Sequence, residues 1–183
     1  MLKLFQYKDN EVVIEPEALL LEPFKKIVSK NKRNKNKAIT ELAFIYFFSD
    51  PRSDYQYIID KSSRVTAIKQ GLGLENSWKP DEDINKAIEF YESFKSEAAL
   101  LLEDTRAVIE KLRTALREID FTQVDDKGKP IFPLNTITST IKAIPSLAKD
   151  LNEAEKALNK EIASDSKMRG GQEKTIFEDG IVL

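Results

Sequence analysis

The chain has 183 residues, 41% apolar and 33% charged, with a net charge of −2. It is long enough to bury a core without disulfides or metals, and it carries no global field that would draw it to nucleic acid or membrane. It contains neither cysteine nor histidine, which excludes disulfides, thiolate metal sites and every Ser-His or Cys-His mechanism, leaving carboxylate, lysine or tyrosine chemistry.

Met1-Leu2-Lys3-Leu4-Phe5 is followed at once by Lys8, Asp9 and Asn10, without the apolar run of a signal peptide. Leu4-Phe5-Gln6-Tyr7 and Val12-Val13-Ile14 flank a turn, which predicts a β-hairpin over 3–14. Pro16 suits the first turn of a helix, and Pro23 starts a second one carrying Phe24, Ile27 and Val28. Residues 25–37 hold seven basic residues and no acid. With Asn31, Asn34 and Asn36 interspersed, this run predicts an exposed loop around 30–36.

Residues 37–48 predict a helix. Ile39, Leu42, Ala43, Tyr46 and Phe47 follow helical spacing. Phe44, Ile45 and Phe48 make it apolar on nearly all sides, so it belongs at the centre of the core. Its most apolar part, 43–48, is far short of the roughly 20 residues of a membrane span. Asp50-Pro51 ends it. Ser63 is the expected cap of a short helix through Val65 and Ile68, stopped at Gly71. Gly71-Leu72-Gly73 lacks the third glycine and the Lys-Ser/Thr pair of a phosphate loop. Trp78 is either core or an interface anchor.

Residues 80–120 predict one long helix of about 55–60 Å. Acids stand at its start and Lys111, Arg113 and Arg117 near its end, as the helix dipole favours. Its apolar residues are Ile84, Ile88, Tyr91, Ala98, Leu102, Ile109, Leu112, Leu116 and Ile119. They alternate at 4-3 spacing, with Lys95 and Thr105 out of type, which implies a coiled-coil seam. Residues 121–132 predict a second β-hairpin turning at Asp125-Asp126-Lys127-Gly128. Residues 135–163 run back as a helix with the seam Ile137, Ile141, Ile144, Leu147 or Ala148, Leu151, Ala154, Leu158 and Ile162; Pro145 is expected to kink or split it. Gly170-Gly171 then breaks the chain before two apolar groups, Ile176-Phe177 and Ile181-Val182-Leu183.

The expected fold is mainly α: a long antiparallel helical hairpin on a small helical globular domain, with short β-hairpins and an extended C-terminal arm. The expected division is 1–80 (β-hairpin plus short helices), 81–163 (the helical hairpin, its tip around 121–133) and 164–183 (the arm). A hairpin of two long helices covers little more than one stripe of each. Tyr91, Phe94 and Leu101 are therefore expected to meet other protein chains, together with Ile176, Phe177, Ile181, Val182 and Leu183 of the arm. Lys30, Lys32, Arg33, Lys35 and Lys37 are candidate contacts for an acidic protein or for nucleic acid, although aromatics that would stack bases are not interleaved with them. Acid pairs such as Glu153 and Glu155, or Asp125 and Asp126, read as solvated surface. No catalytic, cofactor or metal residue is nominated.

Leu4-Phe5-Gln6-Tyr7-Lys8, Glu17-Ala18-Leu19 and Glu41-Leu42-Ala43-Phe44-Ile45-Tyr46-Phe47-Phe48, with Asp50 and Arg52-Ser53-Asp54-Tyr55 behind them, together resemble a small virion structural protein of crAss-like tailed bacteriophages of gut Bacteroidales. The resemblance covers mainly residues 1–80. It implies a non-enzymatic part of the mature particle, assembled in the host cytoplasm. Within the particle it implies a ring of the neck or tail, commonly twelvefold, docked to copies of itself and to neighbours such as the portal or other tail rings. The alternative is a packaged phage protein that binds nucleic acid through 25–37.

Overall fold

The computed structural model describes residues 4–8, 11–120 and 122–168. The first β-hairpin forms as expected. Strands β1 (Phe5–Lys8) and β2 (Glu11–Ile14) pair antiparallel, with Phe5 opposite Ile14 and Tyr7 opposite Val12. Pro16 does not open an α-helix; only a 3-10 turn, Ala18–Leu20, follows it. Pro23 stands in the first turn of α1 (Glu22–Lys30), whose Phe24 and Ile27 are buried. The loop expected around 30–36 is present but shorter, residues 31–34, between two helices. Lys25, Lys26 and Lys30 lie on α1, and α2 (Lys35–Ser49) has already begun at Lys35, capped by the Asn34 side chain on the Lys37 amide at 3.1 Å.

Helix α2 is the centre of the core. Leu42, Ala43, Phe44, Ile45, Tyr46, Phe47 and Phe48 are all buried, because α1, α3 (Lys61–Gly71), α4 (Glu82–Glu92) and β2 pack around it. Edge-to-face ring contacts order this core: Phe5 lies 5.5 Å from Phe24 and 5.2 Å from Tyr91, and Phe44 lies 4.8 Å from Trp78. Trp78 is half-buried and packs against this core.

A helix ending inside a core must place its last carbonyls. The side chains that follow α2 do this. Ser53 Oγ donates to the Phe47 carbonyl at 2.8 Å, Gln56 Nε2 donates to the Phe48 carbonyl at 2.8 Å, and Arg64 Nη1 donates to the same carbonyl at 3.3 Å. Asp50, with no solvent exposure, accepts from Tyr91 Oη at 2.6 Å, from Arg52 Nε at 2.8 Å and from Arg52 Nη2 at 2.6 Å. Arg52 Nη2 also donates to the Phe5 carbonyl at 3.2 Å. One buried network therefore joins β1, the end of α2 and α4.

Helix α3 (Lys61–Gly71) follows a second 3-10 turn, Asp54–Tyr57. Its cap is Asp60 and not Ser63: the Asp60 carboxylate accepts from the Ser63 amide at 2.7 Å and from Ser62 Oγ at 2.6 Å. Those bonds hold the Asp60 carboxyl down at about 2. An Asp immediately before the helix outcompetes a Ser inside its first turn, since only the residue before the helix can turn its oxygen back onto the free amides. Gly73, at φ +65°, closes the far end, and the Leu74 amide bonds back to the Lys69 carbonyl at 2.9 Å. At Gly71 the Tyr55 hydroxyl occupies the space a Cβ would need.

The single helix expected over 80–120 is two helices. α4 (Glu82–Glu92) and α5 (Glu97–Glu118) are separated at residues 93–96. Ser96 accepts from the Ala99 amide at 3.3 Å and so starts a new helix. Ile84, Ala87, Ile88 and Tyr91 of α4 belong to the core around α2, so the hairpin leaves that core at 93–96, not at 80. The expected second β-hairpin is reduced to a single bridge, Val124 to Pro130, about a turn at Gly128 (φ +73°). α6 (Leu134–Met168) continues through Pro145 as one undivided helix. Pro145 lies on the exposed face of α6, where water can take the carbonyl it leaves unpaired.

Tyr91→Phe removes one donor from Asp50 and should lower stability in urea by about 1–2 kcal/mol. Asp50→Ala strands Arg52 and should cost about 3–5 kcal/mol. Burial first, then the nearby Asp50 charge, pushes Tyr46 up to about 12, and the same causes raise Tyr91 further. Both phenols are neutral in the fold. Their contribution is therefore full below the ordinary tyrosine value of about 10 and declines as pH rises through 12. Urea midpoints measured from pH 8 to 12 should fall only above about 10, and Tyr91→Phe should flatten that fall.

Candidate protein interface on the helical hairpin

Helices α5 and α6 pack antiparallel on each other. Their shared buried cluster is small: Ala99 and Leu102 of α5 against Ala154 and Leu158 of α6, flanked by Ala98, Leu151 and Ile162. It lies at the end near the body. Farther out the expected seam residues Ile109, Leu112, Leu116, Ile144 and Leu147 are only half-buried, and Ile141 is exposed. Ile137 is again buried near the tip.

Polar side chains anchor the base of the hairpin. Arg106 Nη2 donates to Glu155 Oε1 on α6 at 3.0 Å, its Nη1 donates to the Pro51 carbonyl of the body at 3.4 Å, and its guanidinium sits 5.2 Å from the Tyr57 ring centre. Lys95, almost wholly buried, lies 3.4 Å from Glu92 of α4 and 2.7 Å from Glu103 of α5. It spans the break between the two helices. Burial lowers the Arg64 guanidinium from its ordinary value; Glu103 and Glu92 oppose that shift and Arg106 adds to it. These contacts were not expected from the sequence. The one visible signal was Lys95, a cation standing where the apolar repeat required a hydrophobe.

One face of the hairpin is apolar and uncovered. Leu101 and Val108 stand two turns apart on α5, 57% and 53% exposed. Across from them lie Leu147, Ala154 and Ala157 of α6, forming an open groove with Asp104, Asp150 and Glu153 on its rim. Near the tip Ile131, Phe132 and Leu134 are exposed as well. Exposed apolar side chains lining a groove mark contact sites.

Of the residues expected to meet partners, Leu101 lies on this open face. Tyr91 does not: it is fully buried in the body, because the helix that carries it belongs to the core. Phe94 is half-buried and packs edge-on against Phe90 at 4.9 Å. Ile176, Phe177, Ile181, Val182 and Leu183 lie outside the described residues.

The basic candidates also divide. Lys30 is bonded to Asp81 and lies 3.7 Å from Asp83, both at the start of α4. The Asp81 bond raises the Lys30 ammonium above its ordinary value, and burial opposes it. Lys37 lies 3.9 Å from the buried Glu41, which also accepts from Asn31 at 2.7 Å. Lys32, Arg33 and Lys35 are exposed and have no carboxylate within ion-pair distance among the described residues.

Among the described residues no helix is long and apolar enough to cross a membrane, and no group of three or more carboxylates is arranged to hold a metal ion. Comparison with protein-family models, curated proteins and solved structures finds no match.

Arg106→Met keeps the apolar stem and removes the bonds to Glu155 and Pro51. Stability should fall by about 1–3 kcal/mol. Amide exchange should accelerate in α5 and α6 more than in α2.

Proposed function

We propose that this chain is a non-enzymatic structural subunit that assembles with copies of itself, and that its setting is a phage virion, in a ring of the neck or tail. The observation that carries the assembly is the uncovered apolar face of α5 and α6. A two-helix hairpin buries one stripe of each helix, and Leu101 and Val108 are left on another. Side-by-side packing of neighbouring hairpins would cover them. A closed ring requires two different patches on each subunit, and the second is assigned to the 37–80 region. The virion setting and the twelvefold count rest on the resemblance of residues 1–80, and adjacent portal or tail-ring proteins follow from the same source. The arm over 172–183 serves as the link to a neighbour.

A second reading, a nucleic-acid-associated packaged protein, is favoured by one observation: Lys32, Arg33 and Lys35 have no ion-pair partner among the described residues. It predicts DNA or RNA binding that weakens steeply with salt and is lost when those three and Lys30 and Lys37 are neutralised.

The double variant Leu101→Asp with Val108→Asp should keep the helical circular dichroism of the parent and shift its native mass from oligomer to monomer. Removing residues 170–183 should likewise preserve the fold and weaken assembly. A parent chain that stays monomeric at high concentration overturns the assembly reading.

A further inference from the structure

The two-stranded sheet has an edge with a seat beside it. The Glu15 amide donates to the Leu4 carbonyl at 3.0 Å. The register of β1 and β2 then makes Gln6 with Val13, and Lys8 with Glu11, the hydrogen-bonded pairs. The backbone groups of residues 5, 7, 12 and 14 therefore point outward from the ladder. On β1 one of these is already used, since the Phe5 carbonyl accepts from Arg52. On β2 the amides and carbonyls of Val12 and Ile14 face the free edge, and among the described residues the sheet has no third strand.

Beside β2 runs a groove of about 440 Å³ between the strand and α2. Val12, Ala43, Phe47 and Leu72 make it apolar, and Ile39, 48% exposed, stands on its rim. Asn36 marks one end, in the first turn of α2. The exposed Arg33 and Lys35 stand near Asn36 in sequence, and the helix start adds partial positive charge at that end; Glu11 on the groove and Glu41 beside Lys37 oppose it.

We infer that this groove receives residues 175–183 of a neighbouring copy as an added β-strand, with Ile181-Val182-Leu183 paired to the outer edge of β2. The segment has the required chemistry. Ile181 and Leu183 share one strand face and suit the apolar floor. Val182 and Ile176 are β-branched, which favours an extended chain. Glu178 and Asp179 stand just before the pairing residues, and the segment contains no base, so its charge complements the α2 end of the groove. Main-chain bonds give the affinity of such a joint and the alternate side chains give its selectivity. The inference rests on the reading of the chain as an assembling subunit only in placing the strand on another copy.

The test is amide exchange on the full-length protein, read together with native mass. In the parent oligomer the Val12 and Ile14 amides should be protected although they donate nothing within the hairpin. The variant Ile181→Asp with Leu183→Asp should expose both by at least about tenfold, while Val13, which pairs with β1, stays as in the parent and reports an intact fold. Ile39→Glu should do the same from the receiving side. Unprotected Val12 and Ile14 in a parent that is oligomeric would overturn the strand joint and leave the hairpin assembly standing. Loss of assembly in Leu101→Asp with Val108→Asp, with Val12 and Ile14 still protected at dilution, would overturn the placement on a neighbour.

Discussion

The Asp50 carboxylate ends the most apolar helix of the chain and has no contact with solvent, so its charge must be met entirely from within. Arg52 meets it with two guanidinium nitrogens and Tyr91 with a hydroxyl. Burial disfavours the charge on Arg52, but the bonds to Asp50 more than offset it and raise the guanidinium above its ordinary value. A buried pair of this kind adds little net stability over a hydrophobic replacement of the same shape; losing one partner is what destabilises. Its consequence here is positional. β1 must offer the Phe5 carbonyl to Arg52, α4 must bring Tyr91 up to α2, and the chain must turn at Pro51. Those three conditions place the hairpin strand, the fourth helix and the start of the 3-10 turn relative to one another.

The hairpin begins one turn beyond that contact. Tyr91, bonded to Asp50, holds the last turn of α4 against the body. The chain is released at residues 93–96, Ser96 caps a new helix, and Lys95 secures the joint between Glu92 and Glu103. Two regions of different character result. The body is packed through aromatic contacts around α2. The hairpin depends on a four-residue cluster, on Arg106 at its base, and farther out on a seam that stays half-open to water. That difference is the physical basis for assigning partner contacts to the hairpin face rather than to the body's apolar residues.

Several features were legible because they depend on neighbours in sequence. The first β-hairpin follows from two apolar strands around a polar turn. The all-round burial of α2 follows from Phe44, Ile45, Phe47 and Phe48 leaving no polar face. The return of α6 along α5 follows from complementary apolar repeats. Tyr91 was misplaced for a reason that applies to any repeat: Ile84, Ile88 and Tyr91 keep the spacing of Leu102 and Ile109, and spacing reports that a face is buried without saying against what. Lys95 was the sign of a break, but a single exception in a seam has the same appearance as a tolerated surface residue. Asp60 displaced Ser63 as the cap of α3 because the helix began earlier than its apolar residues did.

The sequence alone determined the helical class, the central helix, the hairpin of long helices and, through the missing histidine and cysteine, the chemistries closed to the chain. Those properties follow from composition and from short-range periodicity, which every segment carries with it. Tertiary structure decided that Asp50, Arg52 and Tyr91 form one network, that Arg106 reaches Pro51 and Glu155, and that Lys30 is taken by the start of α4. It also decided that Leu101 and Val108 remain uncovered. Each of these joins or separates residues about 40 or more positions apart, except the Asp50–Arg52 pair, and depends on how whole elements pack, which no local pattern encodes.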